Sequence, residues 1–307
     1  MTVLVTGTIG IDTVETPAGD RREGILGGSC AYFTAAASFF SPVRVVAAVG
    51  DDFPAEHRAT LEGFKGVDLA GLETRAGSKT FRWGGKYQEN MDHRDTLFTE
   101  LGVLEESPPT VPASFGDSRV MFLANSHPGV QAGMQEQVPN RELVVADTMD
   151  LWIDIARPDL EILLGKVDGL ALNYDEAEQF TGLKNVVAAG RKILEYGPRF
   201  VVVKKGEHGC ILVHKDGITA LPAYPAETVV DPTGAGDTFA GGMMGWLADQ
   251  PAGTDLGSFE SIRKSLAFGT IIASFTIEKF SLERLSELDR AQVDARLAEY
   301  AAMLRVD

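Results

Sequence analysis

Short runs of β-branched and apolar residues recur along the chain at Val3 to Thr6, Val43 to Val49, Val120 to Leu123, Leu143 to Ala146, Gly169 to Leu172 and Phe200 to Val203. Amphipathic stretches of helical period lie between them, and this alternation predicts βαβ units and a parallel sheet. Several runs are apolar at nearly every position, the pattern of strands covered by helices on both faces. The expected core is a three-layer, doubly wound, mainly parallel α/β fold. Two segments break the alternation: Ile11 to Leu26, and Gly77 to about Gly102, where Phe81, Trp83, Tyr87 and Phe98 are interleaved with polar and charged residues. They read as half-exposed strands that pair as a small sheet over the mouth of the core, a lid. A surface excursion of two hairpins with no role is the plainer reading of the same residues. No repeat or low-complexity linker interrupts the chain, so one domain over 1–307, with a lid from about 11–26 and 77–102, is the simplest partition.

Composition narrows the setting. The 307 residues are 44% hydrophobic and 23% charged, enough apolar material for a sizeable core. Lys and Arg total 28 against 44 Asp and Glu, and such an acidic surface repels phosphate backbones and anionic lipid. Neither nucleic acid nor a membrane is expected as a partner. Met1 to Val5 lacks the basic start of a signal peptide, and no run approaches the ~20 apolar residues that span a bilayer. Cys30 and Cys210 form neither a disulfide framework nor a zinc spacing, which suits a reducing cytoplasm. The histidines at 57, 93, 127, 208 and 214 show no HExxH pairing and read as ordinary histidines.

The most informative stretch is Asp231-Pro232-Thr233-Gly234-Ala235-Gly236-Asp237-Thr238-Phe239. Pro232 and the glycines stop a strand, while Thr238 through Leu247 has the apolar density of a buried helix. Gly234, Ala235 and Gly236 therefore fall at a helix N-terminus, where free N–H groups and the helix dipole attract negative charge and small residues admit a phosphate. Asp237 repels the anion that such a loop attracts. It has a reason to be there if a neutral hydroxyl must lose its proton while attacking a phosphoryl group; otherwise it stabilises the first helical turn.

GxxxxGK[ST] is missing from the sequence, so phosphates must be held in another way than by a P-loop. Asn173-Tyr174-Asp175-Glu176 follows a strand at the sheet edge where open α/β folds bind ligands. Glu176 there suits Mg²⁺ held through water, yet Asn with Glu three residues later is also a capping box that any helix can use. Val201 to Gly209 reads as a strand ending in a turn with Gly206 and Gly209, whose Lys204 and Lys205 either contact nucleotide phosphate or form a solvated basic turn.

On these residues the sequence resembles the ribokinase-like, or PfkB, carbohydrate kinase family over nearly its whole length. The resemblance implies an ATP-dependent kinase acting on an alcohol group of a sugar or polyol, or, as an alternative of the same fold, on a nucleoside. It implies Asp237 as base and Gly234, Ala235 and Gly236 as anion hole. Asn173 and Glu176 match the family's NxxE motif for Mg²⁺ and phosphate, and Gly206 and Gly209 its GxxG turn near the nucleotide, beside Lys204. Gly27, Gly28 and Asp12 match residues that line the substrate pocket. Carbonyls of Asp231 and Thr233 would lie near K⁺ in relatives with a monovalent-cation site; members commonly carry a β lid, and a homodimer through the lid is the expected assembly. The departures fall on the acceptor side: Tyr32 stands where many relatives have Asn, and Asp147 to Trp152 lacks the usual Asn and Arg. A ligand-binding regulator without chemistry is the competing class, and it has no use for a base at Asp237.

Overall fold

The protein is described here as a computed structural model over residues 2–305. Among these residues the strands are β1 (Val3–Thr6), β2 (Gly10–Glu15), β3 (Arg21–Gly27), β4 (Val43–Gly50), β5 (Val67–Arg75), β6 (Phe81–Tyr87), β7 (Arg94–Glu100), β8 (Val120–Leu123), β9 (Leu143–Asp147), β10 (Gly169–Asn173), β11 (Phe200–Lys204), β12 (Cys210–His214) and β13 (Gly217–Leu221). One sheet has the order β13-β12-β11-β10-β9-β8-β1-β4-β5. Its pairs from β11 to β5 are parallel, and β12 and β13 add antiparallel at one end. The apolar runs read from the sequence are the contiguous middle of this sheet, β11 through β4. The strands not read, β5, β12 and β13, lie at its two ends, where β5 and β13 alternate between exposed and sheltered positions.

Strand alternation divides the core into two layers. Val3, Val5, Val43, Val45 and Phe122 point to one face and pack with Phe33, Met243, Leu247 and Ile271 from the helices Ser29–Ala37, Ala235–Ala248 and Phe259–Thr276. Leu4, Val46, Met121 and Val144 point to the other, against Met134, Leu163, Phe180 and Ile193 from the helices Pro128–Glu136, Arg157–Leu164, Tyr174–Thr181 and Val186–Leu194. The sheet is thus covered on both sides, as its continuous apolar strands require.

A second sheet has the order β3-β2-β6-β7. Two antiparallel hairpins, β2–β3 and β6–β7, join through the parallel pair β2–β6, which sets Asp12 opposite Trp83. Val14 and Tyr87 on its inner face cluster with Phe280, and Ile25, Trp83, Met91 and Val230 pack around them. This contact fixes the small sheet beside residue 231 and the start of the helix Ala235–Ala248. Outer strand β7 is exposed at every position.

Candidate active site

Three neighbouring parallel strands end in polar residues at the carboxyl edge of the large sheet: β9 in Asp147, β10 in Asn173 and β11 in Lys204. The ammonium of Lys204 lies 3.7 Å from Asp147 Oδ2, with only 16% and 7% of the two side chains exposed. The solvated-turn reading therefore fails for Lys204, because β11 runs on through it and directs its side chain inward to a carboxylate. Burial works against its charge, but Asp147, Glu176 and Asp237 together hold its pKa above the ordinary lysine value.

Opposite this edge the helix Ala235–Ala248 begins. Its N-cap, Gly234, has φ 73, and a Cβ there would stand 2.2 Å from Cγ of Tyr32. Both the left-handed backbone and the packed ring require glycine. Ala235 N–H reaches the Pro232 carbonyl at 3.1 Å, whereas the next N–H groups of the first turn have no intrahelical acceptor. A Cβ on Gly236 would come within 2.9 Å of Lys204 Nζ, so the ammonium rests against the helix start. Free donors, dipole and cation converge on one spot. Asp237 shares this first turn, and its carboxyl is pushed up to about 7 by burial and then by Asp147, with Lys204 and Arg94 pulling it down.

The approach to the helix is tied by two hydrogen bonds. Thr233 N–H donates to Asp231 Oδ1 at 2.9 Å, and Thr233 Oγ1 donates to the Tyr87 hydroxyl at 3.0 Å. Asp231 Oδ2, Asp12 Oδ1 and the Tyr32 hydroxyl are buried oxygens with no partner. Asp12 lies on β2, and a Cβ on Gly27 would fall 1.9 Å from its Oδ2; the bare backbone of Gly27 is what leaves room for the carboxyl. Gly28, with φ 90, turns the chain into the helix Ser29–Ala37. Burial, followed by the charges of Asp231 and Asp237, pushes Asp12 up to about 8. Buried polar groups ordinarily find partners, so these oxygens are free to meet donors or a cation brought by a ligand.

Asn173 and Glu176 form the capping box in full: Asn173 Oδ1 accepts from Glu176 N–H at 2.8 Å and Glu176 Oε2 from Asn173 N–H at 2.7 Å. Glu176 is also pushed up to about 8, by burial and then by Asp147. Among the described residues no group of three or more His, Cys, Asp or Glu side chains could hold a metal ion by itself. A hydrated Mg²⁺ fits the neighbouring Glu176 and Asp147 carboxylates, since Mg²⁺ keeps most of its waters and needs few protein ligands. Gly206 and Gly209 lie farther out in the β11–β12 turn, closed by Lys205 N–H to the Gly209 carbonyl at 2.7 Å. A Cβ on Gly209 would meet the Leu221 carbonyl at 2.0 Å and one on Gly206 would meet Asp92 Oδ1 at 2.8 Å. The first approach is a strand contact; the second brings the tip of the β6–β7 hairpin down onto the turn.

Asp12, Gly27, Gly28, Asp231, Gly234 and Asp237 thus gather around one space, and Lys204, Gly236 and Glu176 adjoin it through Asp147. Sequence reasoning did not assign Asp147 or Arg94 to the site. Asp147 carries a legible signal, a polar residue closing an apolar strand run as Asn173 and Lys204 do. Arg94 sits in a strand without apolar pattern and carries none.

The model of the pfkB family of carbohydrate kinases matches residues 130–287, which include the Asn173, Gly206 and Asp237 motifs. The cytidine kinase of Thermococcus kodakarensis is 31% identical over 249 residues, 79% of this chain and 87% of that protein. Among solved structures, ribokinase from Giardia lamblia superposes with a TM-score of 0.80 at 18% identity, covering 97% of this chain and 99% of that one. Aminoimidazole riboside kinase from Salmonella enterica, complexed with aminoimidazole riboside and an ATP analog, gives 0.74 at 16% identity, covering 97% and 100%. At those identities the structural likeness speaks for the fold alone. No helix among the described residues is long and apolar enough to cross a membrane.

Proposed function

The chain belongs to the pfkB family of carbohydrate kinases and is a kinase; from that premise we propose that it moves the γ-phosphoryl group of ATP to a hydroxyl of a ribose-bearing acceptor, a nucleoside ahead of a free sugar or polyol. The observation that carries the reading is the placement of Asp237, enclosed in the first turn of a glycine-opened helix with its carboxyl near 7. A base of that pKa is about half ionised at neutral pH and strong enough to take a hydroxyl proton.

Each residue then has a task. Asp237 accepts the proton of the attacking hydroxyl. Gly234 and Gly236 offer backbone N–H groups, with Ala235 between them closing the turn on the Pro232 carbonyl, and Lys204 offers an ammonium, to the charge that develops on the phosphoryl oxygens. Glu176, with Asp147, would hold hydrated Mg²⁺, and Asn173, Gly206 and Gly209 would line the nucleotide. Bound magnesium would supply charge neutralisation between the phosphates. The unpartnered Asp231 Oδ2 favours a monovalent cation such as K⁺ beside the Asp231 and Thr233 carbonyls. Asp12, with Gly27 and Gly28, would grip acceptor hydroxyls, and the small sheet would close over them as a lid that excludes water. A homodimer through the small sheet belongs to the same reading, since its outer strands β3 and β7 each keep an unpaired edge.

Two observations support putting a nucleoside first. The indole of Trp83 stands across the β2–β6 pair from Asp12, offering an aromatic surface to a base beside the ribose site. The second is the 31% identity to a cytidine kinase. A coupled assay with Mg-ATP and a panel of cytidine, uridine, inosine, ribose and myo-inositol tests the reading. Turnover of nucleosides at lower KM than ribose agrees with it, turnover of ribose alone returns the acceptor to a free sugar, and no turnover with any acceptor removes the proposal.

A further inference from the structure

The large sheet parts between two of its central strands. The parallel register of β8 with β9 ends at Leu123 and Ala146. Beyond that point β8 stays with β1, since Ala124 N–H donates to the Thr6 carbonyl at 2.8 Å, and β9 stays with β10, where Asp147 pairs with Ala171. The side chain of Gln131, from the helix Pro128–Glu136, enters the gap. It is wholly buried, and its Nε2 donates to the carbonyls of Leu123 at 2.8 Å, Ala124 at 3.1 Å and Asp147 at 2.9 Å. One amide thus spans the ends of both strands. Its Oε1 is buried without a partner. An unsatisfied buried oxygen costs about 1–3 kcal/mol, and an apolar side chain of the same size would avoid that cost. What the amide alone supplies is donors to carbonyls on both sides of the gap.

The gap falls between the two halves of the site. On the β8 side lie β1 and the segment that follows it, with Asp12, Gly27 and Gly28, read above as the acceptor's residues. Ala124 belongs to this half, its Cβ only 2.8 Å from where a Cβ on Gly7 would stand. On the β9 side lie Asp147, Asn173 and Lys204 at three successive strand ends, read above as serving magnesium and the phosphates. The start of the helix Ala235–Ala248 meets both halves, Tyr32 of the first at Gly234 and Lys204 of the second at Gly236. The spacing of the halves thus bears directly on the distance between the attacking hydroxyl and the γ-phosphorus. A displacement of about 1 Å in such a distance can cost about 10²-fold in rate.

We propose that Gln131 is a positioning residue that sets the distance between acceptor and γ-phosphate by holding the ends of β8 and β9 at a fixed separation, without touching either substrate. This rests on the kinase reading of the site. Each half keeps its own contacts when the amide is lost, so both substrates still bind. What suffers is their alignment.

The test uses the full chain with Mg-ATP and cytidine, inosine and ribose as acceptors. Gln131→Met replaces the amide by an apolar side chain of similar length, and Gln131→Asn keeps the amide on a stem one carbon shorter. In both, single-turnover transfer to the best acceptor should fall about tenfold or more. The dissociation constants for ADP and for that acceptor, each measured alone, should change by less than about threefold, the pattern of lost alignment without lost binding. Leu163→Ala is the control for stability, because it opens a cavity in the same core layer and removes no hydrogen bond at the strand ends. It should lose about 2–5 kcal/mol of stability and, below its melting temperature, keep its transfer rate within about threefold of wild type, since alignment is retained. Transfer within about threefold of wild type in both Gln131 variants overturns the proposal, being far short of the cost of misalignment. So does an equal loss of transfer in Leu163→Ala, which would trace the effect to stability. A rise in either dissociation constant large enough to match the loss would confine Gln131 to shaping one half, and failure of both variants to fold would leave it a structural residue; each overturns the proposal. An inactive wild type would remove the kinase reading and Gln131's role with it, whereas an active wild type with unaffected variants removes Gln131's role alone.

Discussion

The ammonium of Lys204 rests against Gly236: a single Cβ added to that glycine would stand 2.9 Å from Nζ. The neighbouring Gly234 is confined differently, by φ 73 and by a ring of Tyr32 only 2.2 Å from where its Cβ would be. Alanine at the two positions should therefore fail in different ways. Gly236→Ala meets the flexible end of a lysine in a helical position where alanine is favoured by about 1 kcal/mol, so its melting temperature should hold or rise. Its kcat should fall about tenfold or more as the ammonium leaves the anion hole. Gly234→Ala pays for a left-handed backbone and an overpacked buried ring together, and should lose about 3 kcal/mol in urea denaturation. Equal stability in the two variants would contradict this division of roles.

The buried carboxyl of Asp12 gives stability a measurable pH dependence. Its folded pKa is about 8 against an ordinary value of 3.8, so between these values the native state holds a proton that the unfolded chain has released. The contribution is complete below about 4 and is lost as pH rises through about 8. Asp12→Asn removes the ionisation, so the variant's melting temperature relative to wild type should be about 5 °C or more higher at pH 8 than at pH 5, as expected when the wild type loses on the order of 3 kcal/mol over that interval. A difference that does not change with pH would show that Asp12 is not held neutral.

Tyr87 and Thr233 join the small sheet to the helix start by one hydrogen bond of 3.0 Å. Tyr87→Phe keeps the ring in its cluster with Val14 and Phe280 and deletes only that link, worth about 1 kcal/mol. The acceptor KM should rise about three- to tenfold, in proportion to that energy, with a smaller change for ATP. Equal rises for both substrates would detach the small sheet from acceptor binding.

Much of this molecule is legible in its sequence because burial on both faces writes continuous apolar runs, and those runs are the middle of the large sheet. The end strands β5 and β13 escaped the reading because one face of each meets solvent and the pattern thins. The helix start at Gly234 was legible for a similar reason: glycines and proline before an apolar helix leave few other local structures. What the sequence could not give is convergence across the fold. Nothing in the order of residues says that Tyr32 packs on Gly234, that Lys204 turns inward to Asp147, or that Arg94 of an exposed strand folds over the site. Those contacts depend on which strand ends lie side by side and on where the small sheet docks.

The central claim is that Asp237 is the base, and Asp237→Asn tests it most directly. Asparagine keeps the size and suits a helix start, and it relieves the burial and repulsion that push the Asp237 carboxyl up to about 7. Folding and ATP binding should therefore be retained or improved. What the amide cannot do is accept the acceptor's proton, a role that contributes about 10²- to 10⁴-fold in rate. Single-turnover phosphoryl transfer to the best acceptor of the panel should fall by that range, with the melting temperature no lower and the ATP dissociation constant no higher than in the wild type. A transfer rate within about fivefold of wild type, far below that range, would show that the proton goes elsewhere.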